Sequence, residues 1–417
     1  MSPRLLRFAL VCLGGLAAAA AATAQWDEWV DRHRAALEHN APASAWRGKL
    51  TGRLALAARL ADRPVADLIY HGADRRAVFA PTAQLFGDAE IGPLYLFAQA
   101  RADRGLDAGT VAMQLRIDEL ALRWSPARES RFSVQAGKFA TVFGSWARRH
   151  AAWDYPFARA PLAQESLTGL WDIKGLPALA KLEEWSHNTP LGDAAAVTSD
   201  ERNRVPLMWG AVYAFGTAAR WTDEHWDFAL EAKNVGLSSR PAYWADDLAA
   251  AWQAPALAAR LGWRPSPTWN FGVSWADGVY LRPQPETIAP GTRRGDYRQT
   301  TLGFDASFAW RAWQLWAEAL HARFALPGIG DAAVLGITLE GKRRFTPACA
   351  LAARAGWQSY EPVRGHRWGR DTWRVEAGPV FRLAAHAQVK VQASLLHERP
   401  APAPWQTGVA VEWLLRF

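Results

Sequence analysis

From residue 47 onward, apolar side chains recur at every second position. Leu50, Gly52, Leu54, Leu56, Ala58 and Leu60 alternate with Lys49, Thr51, Arg53, Ala55, Ala57 and Arg59. The same period recurs in Phe132/Val134/Ala136, Trp226/Phe228/Leu230, Leu257/Ala259/Leu261/Trp263 and Trp269/Phe271/Val273/Trp275. It continues through Leu302/Phe304/Ala306/Phe308, Leu335/Ile337/Leu339, Trp373/Val375/Ala377 and Val389/Val391/Ala393/Leu395. Successive side chains of a strand point to opposite faces, so each stretch predicts a strand with one apolar and one polar face. Residues 94–101 and 313–324 are apolar on both parities and give no orientation. Parity changes around Asp118-Glu119, which predicts a bulge. Only the beginning departs from this period. Trp26, Trp29, Val30, His33 and Leu37 share one face of a helix, with Asp27, Glu28 and Asp31 early and Arg32 and Arg34 later, in keeping with the helix dipole. Residues 25–45 thus read as a short amphipathic periplasmic leader packed on a rim, with capping or entry into a lumen as alternatives.

The connections alternate in length. Counting back from the last residue, tight ones fall at 384–387, 345–347, 310–312, 264–267, 221–225 and 125–129. Longer ones fall at 399–404, 359–370, 327–332, 282–296, 238–253 and 140–205. Short turns at one rim and long loops at the other mark outer-membrane barrels. Continuing back, 104–109 is an outer loop, and the first strand covers 47–60. One downward strand is then required at 77–87, despite Pro81. The expectation is an all-β fold: a transmembrane antiparallel β-barrel of about sixteen strands over 46–417, with fourteen as the alternative.

The last stretch fits this expectation. Val409, Val411, Trp413, Leu415 and Phe417 share one face and Glu412 and Arg416 the other. An apolar free edge of this kind invites aggregation in water, whereas a closed barrel in lipid has no edge. The stretch resembles the C-terminal signal of bacterial outer-membrane barrels, which implies handling by the barrel-assembly machinery through Phe417. At the other end, Arg4 and Arg7 precede an apolar run to Ala22 and a small-x-small site before Gln25, which predicts a secretory signal peptide over 1–24. Its removal takes two arginines and lowers the formal charge from +8. Cys349 is then the lone cysteine, so no intrachain disulfide is expected. No later window approaches the roughly 18 apolar residues of a spanning helix. The 24 tryptophans also suit a membrane interface better than a soluble core, given the alternation around them.

The connection 140–205 is the third outer loop and by far the longest. Loops of that size are functional or find a place to pack. It carries Trp146, Trp153, Tyr155, Phe157, Trp171 and Trp185, the cations Arg148, Arg149, His150 and Arg159, and the acids Asp154, Glu165, Asp172, Glu183 and Glu184. Packing inside the barrel as a constriction is expected; an outer cap with a short helix over 177–185 is the alternative. Residues 118–146, with Gly137-Lys138-Phe139 and Phe143-Gly144, resemble the phosphate-selective porins O and P. Val142 stands where that group usually has proline, and Ser145-Trp146 where it often has a glutamate pair. Over nearly its full length the chain more closely resembles a set of uncharacterised Trp-rich outer-membrane barrels, through stretches such as WDYPFARAPL (153–162), KNVGLSSRP (233–241), GDYRQT (295–300) and WGRDTWR (368–374). That resemblance implies a barrel and names no substrate.

If the apolar parity faces lipid, the other lines the lumen. It places Arg47, Lys49, Arg53, Arg59, Arg131, Gln135, Arg260, Arg264, Lys342, Arg344, Arg374, Arg382, Lys390 and Arg416 inside, beside Asp227, Glu231, Asp305, Glu340, Glu376, Glu398 and Glu412. Rings of Arg and Lys favour anions. The expected anion-favouring pore residues are Lys49, Arg53, Arg59, Lys138, Arg148, Arg149, Arg260, Lys342, Arg374 and Lys390. A salt-bridge network holding a polar interior is the alternative use of the same side chains. No catalytic set, metal-ligand spacing or phosphate-binding loop stands out among the scattered histidines and acids, so neither an enzyme, a cofactor nor a metal is expected. The basic balance suits lipopolysaccharide phosphates rather than nucleic acid. The function predicted is a passive outer-membrane channel for small polar solutes, ion transport included, with a slight anion preference and a possible homo-oligomeric state. The alternative is a filled, non-conducting barrel for structure or partner binding.

Overall fold

The structure, a computed structural model, describes residues 23, 25–34, 36–39, 46–62, 77–103, 113–127, 129–151, 153–173, 175, 204–244, 252–399 and 405–417. Most of the expected signal peptide, the loop at 104–109 and the helix at 177–185 lie outside these residues. Sixteen strands build the wall: β1 (Trp46–Ala61), β2 (Ala77–Ile91), β3 (Leu94–Asp103), β4 (Gln114–Trp124), β5 (Phe132–Phe139), β6 (Ala214–Thr222), β7 (Trp226–Lys233) and β8 (Ala256–Ser266), then β9 (Trp269–Val279), β10 (Arg298–Trp310), β11 (Trp313–Leu326), β12 (Gly330–Thr346), β13 (Cys349–Tyr360), β14 (Asp371–Ala384), β15 (Ala387–Arg399) and β16 (Gln406–Arg416). Each pairs antiparallel with the next. β16 returns to β1 in a register running from Gly408↔Ala61 to Arg416↔Arg53. The sheet is therefore closed and every wall strand has two neighbours, so most of the wall's backbone pairs within the sheet. Between β4 and β5 the pairing covers only Leu120–Trp124 of β4.

The wall is inside-out relative to a soluble protein. Leu50, Leu54, Leu56, Phe228, Leu261, Val273, Leu302, Leu339 and Val375 are exposed on the outer surface. Gln135, Glu231, Arg260, Asp305, Glu318, Arg354, Arg374 and Lys390 are buried on the inner one. Exposed Trp124, Trp221, Trp226, Trp263, Trp269, Trp310 and Trp313 sit at strand ends on the short-turn rim, a girdle at the height of an interface. This outer belt accounts for seven of the 24 tryptophans.

Several boundaries differ from expectation for identifiable reasons. β2 runs on to Ile91 and accepts Pro81 opposite Leu56. The expected bulge is present: Gln99 pairs Glu119 and Ala100 pairs Ile117, so Asp118 is skipped. The connection expected to be long at 327–332 is a tight turn, with Leu326 paired to Gly330 and Gly328 at φ +79°. Proline and two glycines there make a turn rather than a loop. The third loop returns to the wall only at Ala214. The two stretches apolar on both parities are also explained. Tyr95 and Phe97 face a cavity inside the barrel, and Leu320 and Phe324 join an internal core. That core includes Trp209, Trp244, Tyr280, Tyr297 and Trp368, contributed by the long connections packing inside one half of the barrel.

Residues 25–34 and 36–37 are helical and lie against the short-turn rim. The Trp26 indole donates to the Arg416 carbonyl at 2.8 Å, and Trp26 and Trp29 pack against the Phe417 ring. Asp27 accepts the backbone N–H groups of Ala385 and His386 at 2.9 and 3.0 Å. A two-residue strand, Glu38–His39, then pairs with β1. None of these contacts belongs to the closing ladder between β16 and β1. Deleting residues 25–45 of the mature protein should therefore leave a heat-modifiable, folded barrel, as seen in unboiled electrophoretic mobility. Failure to assemble would make the leader part of the wall's stability.

Candidate functional site

The third connection enters the lumen. Lys233 marks the point where it leaves and rejoins the wall: its Nζ donates to the carbonyls of Phe139 at 2.6 Å and Val212 at 3.0 Å. Glu231 on β7 then accepts the Thr141 hydroxyl and the Val142 N–H. Next, Gly144 N–H donates to Ser274 Oγ at 3.1 Å, and Ser145 N–H to Glu318 at 2.8 Å. Beyond a short helix, Trp146–Arg149, the segment crosses to the opposite wall. There its carbonyls meet cations: Ala151 meets Arg53 at 3.4 Å, Ala158 meets Arg59 at 3.1 Å and Phe157 meets Lys390 at 3.4 Å. Backbone groups removed from water need partners. Wall carboxylates supply acceptors on one side and wall cations supply donors on the other.

Buried clusters flank the crossing, and two of them pin it. Arg354 donates to Glu376 at 2.6 Å, to Glu340 at 3.3 Å, to the Tyr155 hydroxyl at 3.1 Å and to the Arg159 carbonyl at 3.0 Å. Arg374 holds Glu165, Glu376 and the Ala160 carbonyl, while Arg159 also pairs with Glu165. On the other side, Arg260 bridges Asp227 at 2.9 Å and Asp305 at 2.7 Å.

The cations singled out in the sequence therefore mostly have partners. Lys49 pairs with Glu38 of the leader at 3.0 Å, and Arg53 lies 3.6 Å from Glu412. Arg149 pairs with Glu340 and lies over the Trp316 ring. Lys342 approaches Asp154 at 3.9 Å, and Lys390 pairs with Glu412 at 2.8 Å. Arg148 keeps its side chain 41% exposed, 4.0 Å from Asp227. Lys138 is apart from the group: it pairs across from outward-facing Leu120, and its Nζ donates to the Ile117 carbonyl at 2.6 Å.

Open space borders the inward segment, part of it against strands β2 to β6. A cavity of about 470 Å³ is lined by Tyr95, Phe97, Arg123, Arg148, His150 and Arg220 among others. A second cavity of about 480 Å³, nearer the short-turn rim, is lined by Lys49, Arg53, Trp153 and leader residues Val30 and Arg34. Phe86 and Ala151 form part of both linings. Arg123 and Arg220 were not among the expected site residues. Each alternates with an outward tryptophan, Trp124 and Trp221, which was the available signal.

Burial fixes protonation in the inward segment. His150 is held down to about 4 chiefly by burial, with nearby arginines adding to it. Its Nδ1 faces the Ala147 carbonyl at 2.8 Å, so Nδ1 carries the proton and Nε2 accepts from Tyr213 at 2.8 Å. Burial pushes the Tyr155 phenol up, keeping it a donor to Glu340. Burial opposes the Glu165 carboxylate, but Arg159 and Arg374 outweigh it and hold the group down to about 2. A depressed carboxylate contributes stability above its ordinary value of 4.5 and loses it as pH falls through about 2. Acid unfolding of wild type and Glu165→Gln should therefore converge toward pH 2. A gap that persisted unchanged there would exclude this pairing. Among the described residues, no group of three His, Cys, Asp or Glu side chains could hold a metal ion.

No protein-family model and no curated protein matches the chain. Solved structures do. The outer membrane channel DcaP of Acinetobacter baumannii aligns with TM-score 0.56 at 10% identity, over 91% of this chain and 99% of that one. The anion-selective porin from Comamonas acidovorans aligns with TM-score 0.54 at 10% identity, over 89% and 100%. OmpT of Vibrio cholerae aligns with TM-score 0.54 at 9% identity, over 91% and 100%. Together with the closed wall and its apolar outer belt, these likenesses identify the fold as the porin-like barrel fold of bacterial outer-membrane channels.

Proposed function

We propose that the protein is a passive diffusion channel for small polar solutes with a slight preference for anions, and not an enzyme. The observation that carries this reading is the pair of adjoining cavities left between the inward segment and one side of the wall. Arg53 lines one and Arg148 the other. Fixed charges in a narrow pore are screened only over roughly 8 Å at physiological salt, so these two side chains bias which ions enter. Arg149, tied to Glu340, contributes to holding the segment instead.

The test is single-channel recording in a planar bilayer under a salt gradient. Wild type should show a reversal potential of anion-selective sign, and Arg53→Glu and Arg148→Glu should each move it toward cations. A neutral or cation-selective wild type would overturn the preference while leaving the channel.

The second reading, a filled barrel serving structure or partner binding, is favoured by the internal core around Trp209, Trp244 and Trp368. Absence of conductance in a folded, inserted protein would select it. Exposed Arg293, Arg364 and Arg367 on the long connections suit lipopolysaccharide phosphates. A structural relative has been solved in a trimer form, in keeping with a homo-oligomer here.

A further inference from the structure

We infer that Arg123, Arg148 and Arg220 form a binding station for monocarboxylates that carry an aromatic ring. The three guanidinium groups come from β4, the inward segment and β6, and line one cavity of about 470 Å³. That volume lies within the roughly 300–1,000 Å³ typical of small-molecule sites. The inference rests on the channel reading for access to the cavity.

The charges there are incompletely compensated. Arg123 directs Nε and Nη2 at the neutral Gln135 amide oxygen, at 3.3 and 3.2 Å. Arg220 Nε has no hydrogen-bond partner among the described residues, and its cross-strand neighbours, Ser133 and Ala229, carry no charge. Arg148 reaches Asp227 only at 4.0 Å, and Arg260 already holds that carboxylate at 2.9 Å. Two acids share the lining. Glu119 accepts the Ala140 N–H at 3.1 Å, and Asp88 sits in register with Lys49 on β1. Glu119 also lies within electrostatic reach of Arg123 and Arg220, so three cations face a space whose lining offers them one shared carboxylate.

The remaining lining selects among anions. Tyr95 and Phe97 stack with centroids 6.0 Å apart, and the Arg123 guanidinium lies 5.7 and 5.5 Å from the two ring centroids. Guanidinium forks match the geometry of carboxylates and phosphates alike. An inorganic phosphate or a short aliphatic acid would meet the guanidinium groups and add no contact to the rings. An arene bearing one carboxylate uses both surfaces together. Weak, reversible binding of this kind is compatible with conduction.

Isothermal titration of the detergent-solubilised protein with benzoate, acetate and inorganic phosphate tests the assignment, alongside conductance in potassium chloride. Benzoate should bind more tightly than acetate or phosphate. Arg220→Gln should weaken benzoate about tenfold, the loss of one charge-assisted contact. Phe97→Leu should narrow the gap between benzoate and acetate, and Arg311→Gln, at a distant turn, serves as the control expected to match wild type. Unboiled electrophoretic mobility verifies that each variant is folded, and Arg148→Gln provides a second cation variant outside the wall. Phosphate binding as tight as benzoate, or no benzoate binding to a conducting protein, overturns the station. Benzoate binding without any current supports the station and overturns the channel reading instead.

Discussion

Replacing Arg354 by alanine is expected to cost the folded barrel about 3–5 kcal/mol and to raise its conductance. Arg354 is the point at which wall and inward segment share charge: Glu340 and Glu376 on the wall, and the Tyr155 hydroxyl and Arg159 carbonyl on the segment. The guanidinium also lies 4.5 Å from the Phe157 ring centroid. With it gone, Glu340 keeps Arg149 and Glu376 keeps Arg374, but both wall carboxylates lose their common cation. Removing one cation of a buried network is costly because the carboxylates left behind are less fully compensated, which places the loss toward the lower end of that range. The closed β-ladder should survive, since it does not depend on this side chain. The segment should not remain pinned, so the opening beside it should widen. Two readouts separate these effects: the temperature at which the unboiled band is lost, and single-channel conductance. An unchanged conductance with a lowered unfolding temperature would mean that the remaining anchors hold the segment alone.

The wall was legible because its solvent is lipid. Leu50, Leu54 and Leu56, or Leu302 and Phe304, have no reason to alternate so cleanly with polar residues unless one face meets hydrocarbon and the other does not. Strand number follows from turn lengths, although the turn at Gly328 is tight where a long one is expected and the third connection reaches the wall at Ala214 instead of 205. Legibility ended where the lumen stopped being polar. Leu320 and Phe324 read as a second apolar face, because alternation cannot distinguish lipid from an internal core built by distant loops. The lumen cations were identified by parity, but pairing was invisible. Nothing local to Arg374 announces Glu165, which comes from a different part of the chain. For the same reason Arg123 and Arg220 passed unnoticed: their importance depends on which neighbours lack charge. Lys138, within the Gly137-Lys138-Phe139 segment and expected at the pore, has a contact that parity could not show: its Nζ donates to the Ile117 carbonyl, beside a Gly137 backbone at φ +128°.

Gly144→Val should unseat the start of the inward segment as effectively as loss of Arg354 unseats its far side. Gly144 has φ +69°, a conformation that costs a residue with a Cβ about 1–2 kcal/mol and a β-branched one more. Space is the second obstacle: an added Cβ would lie 2.6 Å from Glu318 Oε1. Glu318 cannot swing away cheaply, because that oxygen accepts the N–H groups of Ser145 at 2.8 Å and Trp146 at 3.4 Å, while its other oxygen accepts the Gln164 amide at 3.3 Å. Displacing it would leave donors of the segment unpaired, at roughly 1–3 kcal/mol for each buried group. The combined penalty falls on loop docking, whereas β5 and β6 stay paired through their own register from Phe132↔Trp221 to Phe139↔Ala214. Gly144→Val should therefore raise conductance and current noise with little change in the fraction of folded barrel. Gly144→Ala should show the same direction at smaller amplitude, since it keeps the backbone penalty and reduces the added volume. Combining Gly144→Val with Glu318→Gln should be less than additive, because both act on one anchor. Strict additivity would mean that the strained backbone, and not the glutamate, sets the position of the segment.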